Sequence, residues 1–156
     1  VKVYLVQHGE AMSEEQDPER PLTDLGRQHA EWTGDLASKL GVQVYQIRHS
    51  GKTRARETAE ILSEALSPRE GVVAVSGLGP LDDVEPVAEE LDGASEPIML
   101  VGHLPFMERL AGQLLTGDAG QSVIDFVNAG IVCLGKQDGR WQAMWIITPE
   151  IAEIRS

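Results

Sequence analysis

The sequence predicts a three-layer α/β domain spanning residues 1–156, with a mostly parallel central sheet, helices on both faces and a C-terminal hairpin. Three observations predict it. Short runs of branched and apolar residues alternate with longer segments of helical periodicity, strand then helix, repeated three times before a final hairpin. A length of 156 residues suits one hydrophobic core. No internal repeat, low-complexity tract or linker divides the chain, and its 16 glycines are spread out as turns.

The elements follow in order. Val1-Lys2-Val3-Tyr4-Leu5-Val6 reads as a buried strand that breaks at the glycine of Gln7-His8-Gly9-Glu10. Ala11 to Arg20 is polar and irregular, and Pro18 and Pro21 limit helix there. Thr23 is the expected N-cap of a helix from Asp24 to Leu40. Trp32, Leu36 and Leu40 recur along it at a helical spacing, and Gly41 supplies the stop. Val42 to Ile47 reads as a second strand, ending at Arg48-His49-Ser50-Gly51, with a helix from Lys52 to Leu66 behind it. Val72 to Val75 is an expected short strand, Asp83 to Leu91 a helix, and Pro97 to Val101 a buried strand. Gly102-His103-Leu104-Pro105 then leads into a helix through Leu115, and Ser122 to Val127 reads as a short helix or turn. Ile131 to Leu134 and Trp141 to Ile147 flank Lys136-Gln137-Asp138-Gly139, whose Asp-Gly pair signals a tight hairpin.

Charge and composition narrow the function. The net charge of -12 would repel a nucleic-acid backbone over most of the surface. A phosphorylated substrate remains compatible, provided a local positive pocket holds it. The single cysteine, Cys133, forms no internal disulfide and suits a reducing compartment. The opening apolar run is too short for a signal sequence or a membrane span. The expectation is a soluble, cytoplasmic protein without a nucleic-acid or membrane partner.

Three apolar strands end in polar, histidine-bearing turns: Gln7-His8-Gly9, Arg48-His49-Ser50 and Gly102-His103. Ligands of open α/β sheets bind beyond the carboxyl ends of the strands, and a parallel arrangement brings these turns to one edge. His29 lies within the first long helix and reads as solvated or packed; Arg56 and Lys52, on the helix that carries Arg54, read as solvated, with Lys52 able to add local positive charge. Ser50-Gly51-Lys52-Thr53 imitates the end of a P-loop, but Gln46 stands where the first glycine belongs. Cys133 has Gly139, not arginine, at the downstream position of a cysteine phosphatase, so it reads as a packed hydrophobe. The scattered histidines and lone cysteine make no zinc pattern.

At Gln7-His8-Gly9-Glu10 the sequence resembles the histidine phosphatase superfamily, also called the phosphoglycerate mutase-like fold. Pro21-Leu22-Thr23-Asp24-Leu25-Gly26 resembles that family's segment ahead of its first long helix. Ser50 to Thr58, with Arg54-Ala55 and Glu57-Thr58, resembles its second phosphate-binding arginine segment, and Val101-Gly102-His103-Leu104-Pro105 its second histidine motif. The short length and the His-Leu-Pro form are most similar to SixA-type phosphohistidine phosphatases. The resemblance implies that His8 is the nucleophile, and that Arg54 and His103 contact the transferring phosphoryl group. One departure stands out: the family's arginine ahead of the nucleophilic histidine is Gln7 here. A neutral amide replaces a charged planar fork, so the phosphate clamp is expected to be weaker.

The implied chemistry is attack by His8 on phosphorus, then hydrolysis of the phosphohistidine by water. Gln7, Arg54, His103 and the peptide N–H groups around Gly9 would hold the phosphoryl oxygens. A phosphate ester needs a proton for its leaving group. Glu10, Asp82 and Asp83 are the candidate donors, although solvated turns explain them as well. The P–N bond of phosphohistidine is more labile and asks less of an acid. The expected partner is therefore a phosphohistidine-bearing protein, with a small phosphate ester as the alternative. A third reading is a phosphate-binding protein of low turnover, on account of Gln7. The chemistry requires no metal or organic cofactor.

Overall fold

Alternation along the first strand sets the layering. In the computed structural model, which describes residues 1–155, strand β1 (Lys2–Gln7) sends Val3 and Leu5 to one face of the sheet. Tyr4 and Val6 go to the other, as the period of a strand requires. Strands β2 (Gln46–His49), β3 (Val72–Ala74), β4 (Ile98–Gly102), β5 (Ile131–Gln137) and β6 (Arg140–Ile147) complete a sheet of order β3-β2-β4-β1-β5-β6. The first four strands are mutually parallel, and β5 and β6 add antiparallel pairs at one side.

Helices α3 (Glu85–Asp92) and α4 (Phe106–Thr116) cover one face, where Phe106, Met107 and Leu110 pack with Leu5 and Leu100. Helices α1 (Asp24–Lys39), α2 (Thr53–Leu66) and α5 (Pro149–Arg155) cover the other, around Val6, Leu62, Met99 and Val101. Each fully buried aliphatic of this size contributes roughly 1.5–3 kcal/mol by leaving water. The three-layer α/β prediction holds, as does the hairpin: Asp138 and Gly139 have φ of 52° and 75°, the left-handed pair of a type I′ turn.

Four details differ from the sequence reading. The four strand–helix pairs read from the sequence all precede the hairpin, but α5 follows it unannounced. The second strand starts at Gln46, not Val42: Gln46 pairs with Ile98 at the start of β4, and just ahead of it the Tyr45 N–H donates to the Pro97 carbonyl at 2.8 Å. Residues 122–127 form neither helix nor turn. Ile124 and Phe126 are buried while Val123, Asp125 and Val127 are exposed, the alternation of extended chain. In α1, Leu40 falls outside the helix and is 62% exposed. The buried stripe is instead Gly26, Ala30, Thr33, Gly34 and Ala37, because α2 lies so close that a Cβ on Gly34 would sit 3.2 Å from that of Ala65.

Registers place the site. Gln7 pairs with Gly102 across β1 and β4, and His49 with Val101 across β2 and β4. The three histidine-bearing turns therefore leave the sheet side by side at its carboxyl edge. Among the described residues, no helix is long and apolar enough to cross a membrane.

Candidate active site

The turn after β1 is pressed against the start of α1. A Cβ on Gly26 would lie 2.1 Å from the carbonyl oxygen of Glu10, and one on Gly9 would lie 2.9 Å from that of Gly26. Only glycine fits at either point. Thr23 caps α1, its hydroxyl oxygen accepting from the N–H of Gly26 at 3.0 Å. The chain leaving β1 is thereby held while it presents His8.

His8 is pinned from three sides. Its N–H donates to the carbonyl of Gly102 at 2.9 Å, and its own carbonyl accepts from Asn128 Nδ2 at 2.9 Å. On the ring, Nδ1 lies 2.6 Å from the carbonyl oxygen of Gly9. A carbonyl only accepts, so Nδ1 carries the proton and Nε2 keeps its lone pair. Burial first, then the charges of Arg54 and Arg20, push the His8 pKa down to about 4 despite the opposing Gly9 bond. His8 is thus a neutral imidazole with a free Nε2 at neutral pH.

His103 leaves β4 beside it, with ring centroids 5.1 Å apart. It is buried, and desolvation together with His8, Arg54, Lys52 and Arg20 lowers its pKa to about 3. Arg54 sits in the first turn of α2, and burial and Arg20 lower its pKa. Arg20, Lys52 and Arg54 thus gather positive charge at one edge of an otherwise acidic chain.

Among the described residues, three buried side-chain atoms lack a hydrogen-bond partner: Gln7 Oε1, Arg54 Nε and His103 Nδ1. All three belong to residues that the sequence placed in the site. Native interiors satisfy nearly every buried polar group, so these three atoms are where a polar ligand or an ordered water would bond.

The family model of the histidine phosphatase superfamily (branch 1) matches residues 3–78. An uncharacterized protein of Picosynechococcus is 30% identical over 151 residues, covering 92% of this chain and 90% of that one. The chain belongs to the histidine phosphatase superfamily. The serine/threonine-protein phosphatase PGAM5 (mitochondrial) of Xenopus tropicalis is 40% identical over 65 residues, or 41% of this chain. That match spans only 23% of the PGAM5 chain. The solved structure of the protein histidine phosphatase SixA with tungstate superposes at a TM-score of 0.84. It covers 96% of this chain and 97% of that one, and at 22% identity the likeness is one of fold.

Around these residues, the structure engages several others that the sequence did not single out. Arg20 was read as part of an irregular polar stretch. Its φ is +50° immediately before a proline, a placement costing roughly 1–3 kcal/mol that strained functional positions tolerate. Its Nε donates to the carbonyl of Met12 at 3.0 Å, and its charge depresses His8, Arg54 and His103. Its position just ahead of Pro21-Leu22-Thr23 was the available signal. Thr58 ties the two halves together: its oxygen accepts from the Gly9 N–H at 2.9 Å, while its hydroxyl donates to the Arg54 carbonyl at 2.8 Å. Glu57 accepts from the Leu22 N–H at 2.8 Å and pairs with Arg27 at 2.6 Å, holding the loop that carries Arg20 against α2.

Two groups of expected residues are otherwise engaged. The Gly9 N–H is committed to Thr58 and the His8 N–H to Gly102, so neither is free for a phosphoryl oxygen. The acid candidates serve turns. Glu10 accepts from the Thr23 hydroxyl at 2.7 Å, Asp82 from the Gly79 N–H at 2.7 Å, and Asp83 from the Glu85 N–H at 3.0 Å. His29 stacks near Trp32, and Arg56 pairs with Glu60 on the surface. Cys133 is fully buried in β5, as a packed hydrophobe. No group of three or more His, Cys, Asp or Glu side chains able to hold a metal ion occurs among the described residues.

Proposed function

We propose that the protein hydrolyses phosphohistidine on a protein partner, with His8 as nucleophile. The observation that carries this reading is the contact between His8 Nδ1 and the Gly9 carbonyl, which leaves Nε2 unprotonated on a ring that feels the charges of Arg54 and Arg20. In the first step Nε2 attacks phosphorus, a new N–P bond forms, and the P–N bond of the substrate breaks as its imidazole leaves and takes a proton from solvent. In the second, water attacks the phosphorus of phospho-His8, releasing inorganic phosphate and restoring the ring. Arg54, His103 and Arg20 hold the non-bridging oxygens through both steps. Gln7 adds a neutral amide where the family carries a guanidinium, and Arg20 supplies the second guanidinium from the other side of the pocket.

The choice of a P–N substrate rests on the acids. Asp82 and Asp83 accept from backbone N–H groups of their own turns and Glu10 from the Thr23 hydroxyl, so each of the three candidate acids already holds one hydrogen bond within the protein, which favours a substrate that asks less of an acid. A second reading, a phosphoserine or phosphothreonine ester on a protein, has the local identity to PGAM5 in its favour. Phosphate release from a phosphohistidine protein and from a phosphoserine peptide, measured side by side, separates the two. We expect kcat/KM for the phosphohistidine substrate to be larger by at least about tenfold, a general acid being worth roughly 10²–10⁴-fold at most. Faster turnover of the phosphoserine peptide would transfer the assignment to esters.

Gln7 offers a check on the clamp. Replacing a neutral donor by a charged one strengthens a hydrogen bond by about 1 kcal/mol, so Gln7→Arg is expected to raise kcat/KM about fivefold. An unchanged or lower rate in steady-state assays would mean that Arg20 already fills this role and that the pocket is shaped around glutamine.

A further inference from the structure

The two histidines of the site need opposite proton placements. A nucleophile needs a bare nitrogen, whereas a group that steadies a phosphoryl oxygen needs an N–H aimed at it. The carbonyl of Gly9 settles the matter for His8. A different partner faces His103: Ser50 Oγ lies 2.6 Å from its Nε2.

We propose that Ser50 is a positioning residue for His103, its hydroxyl donating to Nε2 and so placing the ring proton on Nδ1, where a phosphoryl oxygen can take it. The inference rests on the phosphatase reading above for its purpose, but its geometry stands on the resting protein.

Counting donors and acceptors supports this direction. Ser50 Oγ accepts from the Lys52 N–H at 3.3 Å, which uses one lone pair. Its own hydrogen then needs an acceptor, and among the described residues Ser50 is given one, His103 Nε2. A separation of 2.6 Å lies within the range of O–H donors and is short for an N–H donor. The ring is neutral, since burial has pushed its pKa down to about 3, so it holds one proton. With Nε2 accepting, that proton is on Nδ1, which is buried and has no protein acceptor. Arg54 Nε is likewise a buried donor without a partner. Phosphoryl oxygens would satisfy these two donors, while the third orphan, Gln7 Oε1, is an acceptor and would take a bond from a protonated phosphoryl oxygen. The opposite tautomer leaves the Ser50 hydrogen idle and turns a lone pair of His103 toward the ligand, setting acceptor against acceptor.

The fold delivers the serine. β2 and β4 are parallel neighbours, so the turn after β2 lies beside the turn that carries His103. The turn after β2 is stiffened by His49, whose Nδ1 accepts from the Gly51 N–H at 3.0 Å, with Gly51 at φ +90°.

The test combines nitrogen NMR of ¹⁵N-histidine-labelled protein with steady-state kinetics on wild type, Ser50→Ala and Ser50→Thr. In the resting wild type, His103 is expected to show a bare Nε2 and a protonated Nδ1, and Ser50→Ala to shift it toward the Nε2–H form. With a phosphohistidine protein as substrate, kcat should fall roughly tenfold to a hundredfold in Ser50→Ala with little change in KM. Ser50→Thr, which keeps the hydroxyl, should recover most of it. A wild-type His103 protonated on Nε2 would overturn the proposal, as would a Ser50→Ala variant unchanged in both tautomer and kcat. The tautomer is read without substrate, so a wild type that releases no phosphate would defeat the assigned function while leaving this question decided.

Discussion

Substitution of His8 by alanine is expected to lower phosphate release from a phosphohistidine protein by at least about 10⁴-fold, the order of loss seen when a covalent nucleophile is removed. The side chain contributes a bare Nε2 held in one tautomer by the Gly9 carbonyl. His103 is 2% exposed and has its Nε2 against Ser50, so it is not a substitute nucleophile. Quenching the wild type in alkali during turnover should trap acid-labile phosphate on the protein, and the variant should trap none. Because His8 is held through its backbone to Gly102 and Asn128, the variant should fold normally and keep its thermal midpoint close to that of the wild type. Equal release by both proteins would remove His8 from the chemistry and leave the low-turnover binding protein as the better description.

Arg54 carries the second large effect. Its Nε is a buried donor without a protein partner, and its charge lowers the pKa of both His8 and His103. Losing one such donor costs about 10²–10³ in rate, so Arg54→Ala is expected to lose kcat/KM by that order. Arg54→Lys should recover little, because a lysine ammonium is a point charge that cannot present Nε and a terminal nitrogen as a planar fork. There is also an effect on pH dependence. Arg54 depresses both histidines, so its removal raises their pKa values toward the ordinary 6.5. The nucleophile must be unprotonated, hence the acid limb of the kcat/KM profile should move upward in Arg54→Ala from the region of pH 4 that His8 sets in the wild type. Full recovery of activity in Arg54→Lys would show that charge alone suffices and the planar fork does not matter, and an acid limb that does not move would show that Arg54 does not tune His8 through its charge.

Why so much was legible in the sequence has a local explanation. Hydrophobic period and turn chemistry are properties of neighbouring residues. Val3 to Val6 can bury both faces of a strand only inside a covered sheet, Thr23 caps whatever helix follows it, and Asp138-Gly139 suits few turns other than the one found. A parallel order of such strands is enough to bring His8 and His103 to one edge. The second strand was misplaced at its start because pairing is set by the partner strand, and Pro97 lies far away along the chain. Residues 122–127 were read as helix or turn because six residues carry too little period to separate the options, and packing against α3 and α4 decided for extended chain.

The site divides along the same line. By itself the sequence determined the layered α/β class, the order of its elements and the family, and it named His8, Arg54 and His103. Each sits at a strand end or helix start that local patterning already marks. Only the tertiary structure decided how those groups are protonated and which others join them. Arg20 reaches the pocket through a left-handed turn, and Thr58 joins Gly9 to Arg54. Ser50 meets His103 from a neighbouring strand, and Gly9, Glu10, Asp82 and Asp83 are drawn into caps and turns. The physical reason is that a hydrogen bond belongs to a pair. Residue type states what a group can donate or accept, but its partner, and therefore its proton, is set when distant segments are packed together.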